Sequence, residues 1–238
     1  MNLRHSCMVV LLLAFTGCES VTLRDSVNSL LAAGSGELDI NTIASGLKEA
    51  LKVGTERASG QLAKKGGYSS DPLLRIPVPP ELEKVASTMR KVGLGALVDT
   101  LEGKMNTAAE TAAGKAKPLF WDAIKQMTFQ DARNILQGDD TEATDYFRAK
   151  IGGRLRDMYG PIVEQHLNSV GAVKTYNQLV DRYAALPFTK KPSFDLESYA
   201  TEKALDGLFS VLAVEEKRIR ENPAARTTEL LRRVFARQ

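Results

Sequence analysis

From Thr42 to Phe235 the apolar residues of this chain return every third or fourth position and almost nowhere alternate. That spacing lays them on one face of an α-helix, whereas a half-buried strand needs a period of two. No period-two signal appears outside one proline-rich stretch, so the expected fold class is all-α, a globular bundle of about eight to nine helices. No heptad seam persists over three or four repeats, which excludes a long coiled coil.

The first helix carries Ile43, Leu47, Leu51, Gly54, Ala58 and Leu62, is capped by Asn41 or Thr42, and stops at Gly66-Gly67. Four prolines between Pro72 and Pro80 then fix φ and remove backbone donors, which predicts an extended connection packed through Leu73, Leu74, Ile76 and Val78. A second helix follows with Leu82, Val85, Met89 and Val92 inward, and an alanine-rich third spans about 94–115. Pro118 is expected to open a fourth, Thr128 a short fifth ending at Gly138, and Asp139-Asp140-Thr141 to cap a helix over about 141–158. Pro161 is expected to begin another, followed by one at 172–185, the loop LPFTKKPSF, a long helix from Asp195 to Glu221, and a last one over 224–236.

The N-terminal segment follows another logic. Arg4 precedes an apolar run from Met8 to Phe15, far short of the roughly 20 residues needed to span a bilayer. A basic start, a short apolar core and small residues are the layout of a secretory signal peptide. Its end, Phe15-Thr16-Gly17-Cys18, resembles the bacterial lipobox, with Phe15 where Leu is usual. The resemblance implies cleavage between Gly17 and Cys18 and acylation of Cys18. Cysteine usage agrees: Cys7 lies in the segment to be removed, so the mature chain keeps one cysteine and can form no internal disulfide. Two or more acyl chains make such an anchor stable. Glu19, where an inner-membrane-retained lipoprotein commonly has Asp, points to the outer membrane. The expected organisation is a signal peptide at 1–17, a lipidated N-terminus and flexible tether at 18–37, and a single helical domain at 38–238.

Removing 17 of the 238 residues leaves 31 basic against 29 acidic side chains, a near-balanced +2. A nucleic-acid binder would show a concentrated basic face, so no nucleic-acid partner is expected. Histidine excludes more. His166 is the only one left in the mature chain, no GxSxG accompanies it, and clustered His or Cys metal ligands cannot be assembled. No phosphate-cradling glycine loop is present. The expectation is therefore no cofactor, no metal and no catalytic residue.

Four segments, GLKEALKVGTERA, RIPVPPELEKV, DAIKQMTFQDARNILQGDDTEATDYFR and KALDGLFSVLAVEEKRIRENPAARTTELLRRVF, occur in that order over about residues 40–236. Together they resemble a bacterial family of unknown function, numbered 4197. The resemblance implies a secreted or lipid-anchored envelope protein, mostly of Gram-negative bacteria, and brings no reaction or catalytic residue with it.

The richest polar set is Asp131, Arg133, Asp139, Asp140, Glu142, Asp145 and Arg148. It reads as helix caps and i,i+3 pairs such as Asp145–Arg148, as a calcium or magnesium site, or as a carboxylate pair for acid–base work. The spacing does not match an EF-hand, because Gly138 precedes the acids instead of falling among them. Arg75, in the proline-fixed loop, is placed either to grip an anion or to pair with an acid on a neighbouring helix. An anchor, a tether and a helical body without a catalytic constellation lead to a non-catalytic binding or interaction module with an envelope protein partner. The alternatives are a carrier of an apolar ligand, such as a lipid or acyl chain, between helices and, third, an enzyme using these acids.

Overall fold

The computed structural model describes residues 40–235. Gly17, Cys18 and the segments expected to be a signal peptide and a tether lie outside the described residues. Within them are eight α-helices and no strand. In chain order these are α1 (Ile40–Leu62), α2 (Glu83–Lys91), α3 (Gly95–Gln126), α4 (Phe129–Gln137), α5 (Glu142–Ser169), α6 (Ala172–Ala184), α7 (Leu196–Glu221) and α8 (Glu229–Phe235). Short 3₁₀ turns at Pro80–Leu82 and Pro223–Ala225 lead into α2 and out of α7.

The alanine-rich α3 is the central helix, packing against α1, α2, α5, α6 and α7. Its buried face holds Ala108, Ala109, Ala112, Ala113 and Ala116, small enough to let neighbouring helices approach closely. α1 runs antiparallel to α3: Ser59 meets Ala113, Glu56 meets Lys117, Lys52 meets Trp121 and Lys48 meets Lys125. On its other sides α1 meets α4, α7 and α8, while α5 packs between α3 and α7. One buried cluster extends from Ala44 to Phe235 and joins both halves of the described chain.

Two expected helix starts are internal positions. Pro118 lies within α3 and Pro161 within α5. Each proline is exposed, and so is the residue four back, Gly114 or Asp157. The carbonyl that loses its helical donor thus faces water, and packing of the long helices outweighs the local defect. The last helix starts at Glu229 instead of Ala224, because a 3₁₀ turn precedes it and Thr228 Oγ1 accepts from Leu231 N at 3.2 Å. Two residues expected inward are exposed: Leu73 (92 %) and Val92 (48 %), which sit on turns and not on the packed faces.

Candidate functional site

The proline-rich connection is held by a polar stripe on α3 that the apolar pattern did not reveal. Glu102, Asn106 and Glu110 stand at i, i+4 and i+8, all buried. Glu110 accepts from Tyr68 N at 3.3 Å, Ser69 N at 3.2 Å and Ser69 Oγ at 3.0 Å. Asn106 reads both backbone groups of Ile76, accepting its N–H at 2.9 Å and donating to its carbonyl at 2.8 Å. Glu102 pairs with Arg75. Arg75 is therefore committed to an acid on a neighbouring helix.

The residues of 131–148 do not converge on one site. Thr128 and Asp131 form a capping box at α4, with Asp131 N donating to Thr128 Oγ1 (3.1 Å) and Thr128 N to Asp131 Oδ2 (3.0 Å). Burial works to raise the pKa of Asp131. Hydrogen bonds from Thr128 and the Tyr146 hydroxyl, with the Lys150 charge, outweigh it and hold the carboxyl below the usual aspartate value. Burial, then the bond to Asp131, pushes the Tyr146 phenol up to about 12. Arg133 and Asp139 are exposed. Asp140 pairs with Lys217 of α7 at 3.0 Å, and Asp145 accepts from Thr141 Oγ1 at 3.1 Å. Arg148 does not pair with Asp145. It reaches Asp206 of α7 at 2.9 Å and covers the Phe209 ring at 4.6 Å. Among the described residues, no group of three or more His, Cys, Asp or Glu side chains is placed to hold a metal ion.

The cap expected from Asp139-Asp140-Thr141 comes from elsewhere. No side chain of Thr141 caps α5; Glu216 of α7 does, accepting from Ala143 N and Thr144 N, both at 2.9 Å, and from Thr144 Oγ1 at 2.9 Å. Arg220, one turn on, bonds Glu216 at 3.0 Å and donates to the Ile135 carbonyl at 2.7 Å. The only sequence signal was a pair of glutamates, Glu215-Glu216, beside the inward stripe of α7. A cleft of about 600 Å³ opens here beside Leu136, Gly138, Asp140 and Glu221, but Arg220 on its wall is already paired.

The inter-helix voids near Leu51, Leu212 and Phe235 and near Leu119, Ile151 and Leu155 hold about 10 Å³ each. That is scarcely room for one water, let alone an acyl chain. On the outside, a groove of about 520 Å³ lies between α1 and α3, lined by Ser45, Lys48, Glu49, Lys52, Trp121, Ile124 and Lys125. The ammonium groups of Lys52 and Lys117 stand 5.0 and 4.4 Å from the Trp121 ring centroid, and the indole N–H is buried without an acceptor.

A second outward feature is the α6–α7 loop. Phe188 is fully exposed with φ of 62°, a left-handed conformation that bulky residues avoid. Its base is pinned: Thr189 Oγ1 donates to the carbonyls of Tyr183 (2.6 Å) and Leu186 (2.9 Å), and Lys191 pairs with Asp181 at 2.7 Å.

A family model described as "Protein of unknown function (DUF4197)" matches residues 37–236. No curated protein and no solved structure matches the chain.

Proposed function

The chain belongs to the family described as Protein of unknown function (DUF4197), and on that premise we propose that it is a lipid-anchored, non-catalytic interaction module of the bacterial cell envelope. Cys18 carries the anchor, the body faces the periplasm from the outer membrane, and the α6–α7 loop engages an envelope protein partner. The observation that carries the reading is Phe188, a fully exposed aromatic ring on a strained backbone whose loop is pinned on both sides. Strain of this kind persists only where surrounding structure enforces it, and exposed aromatic rings are the usual anchors of protein interfaces. Of the candidate polar residues, Arg75, Asp131, Asp140 and Arg148 are engaged in a helix cap or in ion pairs to other segments of the chain.

The test has two parts. Intact mass of the membrane-extracted protein is expected to begin at Cys18 with acyl groups added, and an unmodified mass overturns the anchor. A photoreactive residue at position 188, in cells, is expected to capture a discrete protein that the same residue at exposed Lys115 does not. Identical products at both positions, or none at 188, overturn the loop as the contact.

A further inference from the structure

The groove between α1 and α3 gathers lysines, of which Lys48 and Lys52 have no acid within ion-pair distance among the described residues. Among the described residues, Lys48 Nζ makes one bond, to the Lys125 carbonyl at 3.4 Å, which brings two lysines together, and Lys52 rests on the Trp121 ring. Lys117 and Lys125 are paired with Glu56 at 2.9 Å and Asp122 at 3.4 Å. Among the described residues, Glu49 is the one acid lining the groove, against Lys48, Lys52 and Lys125. The surplus is positive, the volume suits a small polar group, and the aromatic lining is an indole, the side chain favoured at membrane headgroup depth.

Position in the chain narrows the occupant. α1 begins at Ile40, and Lys48 and Lys52 lie in its first four turns, within about 18 Å of its start at 1.5 Å per residue. They are therefore the first cationic side chains of the described body after the segment that follows Cys18. Anchoring at Cys18 would tether the body to a lipid surface, and tethering lets even a weak site be occupied.

We propose that the groove docks the phosphate-bearing headgroup of an anionic phospholipid, with Lys48 and Lys52 supplying the counter-charge and Trp121 lying at headgroup level. The proposal rests on the anchored reading for its choice of a lipid surface. Trp121 is the only tryptophan in the chain, so its emission reports on the groove alone.

The experiment uses the full mature protein in phosphatidylcholine nanodiscs with and without phosphatidylglycerol, and the Cys18→Ala protein with vesicles of the same two compositions. Phosphatidylglycerol is expected to shift Trp121 emission and to bring it within reach of a headgroup-proximal bromine quencher, an effect that weakens as salt rises. The double substitution Lys48→Gln/Lys52→Gln, with its helical circular dichroism unchanged, is expected to weaken vesicle binding roughly 25-fold, at about fivefold per lysine. Emission indifferent to phosphatidylglycerol while the protein stays in the disc overturns the groove and leaves the anchor standing. A wild-type protein that fails to enter discs overturns the anchor, while the Cys18→Ala vesicle arm still decides the groove. If an acidic peptide shifts Trp121 and phosphatidylglycerol does not, the occupant is a protein segment and the lipid assignment is overturned.

Discussion

Glu216 and Arg220, one turn apart on α7, close the ends of two consecutive helices at once. The carboxylate takes the N–H groups of Ala143 and Thr144 at the positive end of α5, while the guanidinium takes the Ile135 carbonyl at the negative end of α4. Both side chains are only 7 % exposed and bonded to one another at 3.0 Å. Removing one partner strands the other as a buried charge, together with the helix-end groups it served. Glu216→Ala is expected to cost about 3–5 kcal/mol. The double substitution Glu216→Leu/Arg220→Met is expected to cost clearly less than the two single changes summed, read from midpoints of chemical denaturation. Strict additivity would mean that the two side chains act independently.

Asn106 makes a more local prediction. Its amide pairs with both backbone groups of Ile76, which lies in a connection outside any helix. Asn106→Ala leaves two buried backbone groups without partners and is expected to cost about 2–4 kcal/mol. Its signature is faster hydrogen exchange at the Ile76 amide, with α1 and α7 protected as before. Uniform loss of protection would mean that the connection unfolds only with the whole bundle.

Reach along the chain separates what the sequence made legible from what it did not. The Thr128–Asp131 capping box joins residues three positions apart and can be read from the sequence, as can the stripes of α1 and α7. Glu216 caps a helix 73 residues before it, and Arg148 finds Asp206 58 residues on, in preference to Asp145 on its own helix. No local pattern encodes such choices, because they depend on which helix faces arrive together. The prolines show the same limit. Whether Pro118 or Pro161 ends a helix depends on whether the carbonyl it deprives meets water, and only the packed bundle decides that. The acidic segment looked like a site because its charges are close in sequence, while the fold sends Asp131, Asp140 and Arg148 to different partners.

Asp131 couples stability to pH. Its folded pKa lies below the unfolded one, the bonds from Thr128 and Tyr146 outweighing the opposing effect of burial. The stabilisation is fully present above the ordinary aspartate value and disappears as pH falls through the depressed one. The stability difference between wild type and Asp131→Asn is therefore expected to stay constant near neutrality and shrink in acid. Tyr146→Phe removes one of the bonds that favour the charged form, so the Asp131 carboxyl should titrate at higher pH, measured by carbon chemical shift. A titration unmoved by Tyr146→Phe would show that the hydroxyl does not reach the carboxylate in solution.

Phe188 tests whether the strain in the α6–α7 loop is kept for contact. A bulky residue in the left-handed region carries a penalty that glycine escapes, although glycine also gives the unfolded chain more freedom. On balance Phe188→Gly is expected to stabilise the protein by roughly 0.5–1 kcal/mol. Phe188→Ala keeps a Cβ at φ of 62° and is expected to leave stability nearly unchanged, because the fully exposed ring packs against nothing that its loss would expose. Both substitutions should abolish whatever contact the ring makes. Gain of stability with loss of partner capture in the glycine variant, and loss of capture alone in the alanine variant, would identify the ring as a contact retained at the expense of the fold. A glycine variant no more stable than wild type would remove the strain argument, and an alanine variant that still captures the partner would remove the ring itself from the interface.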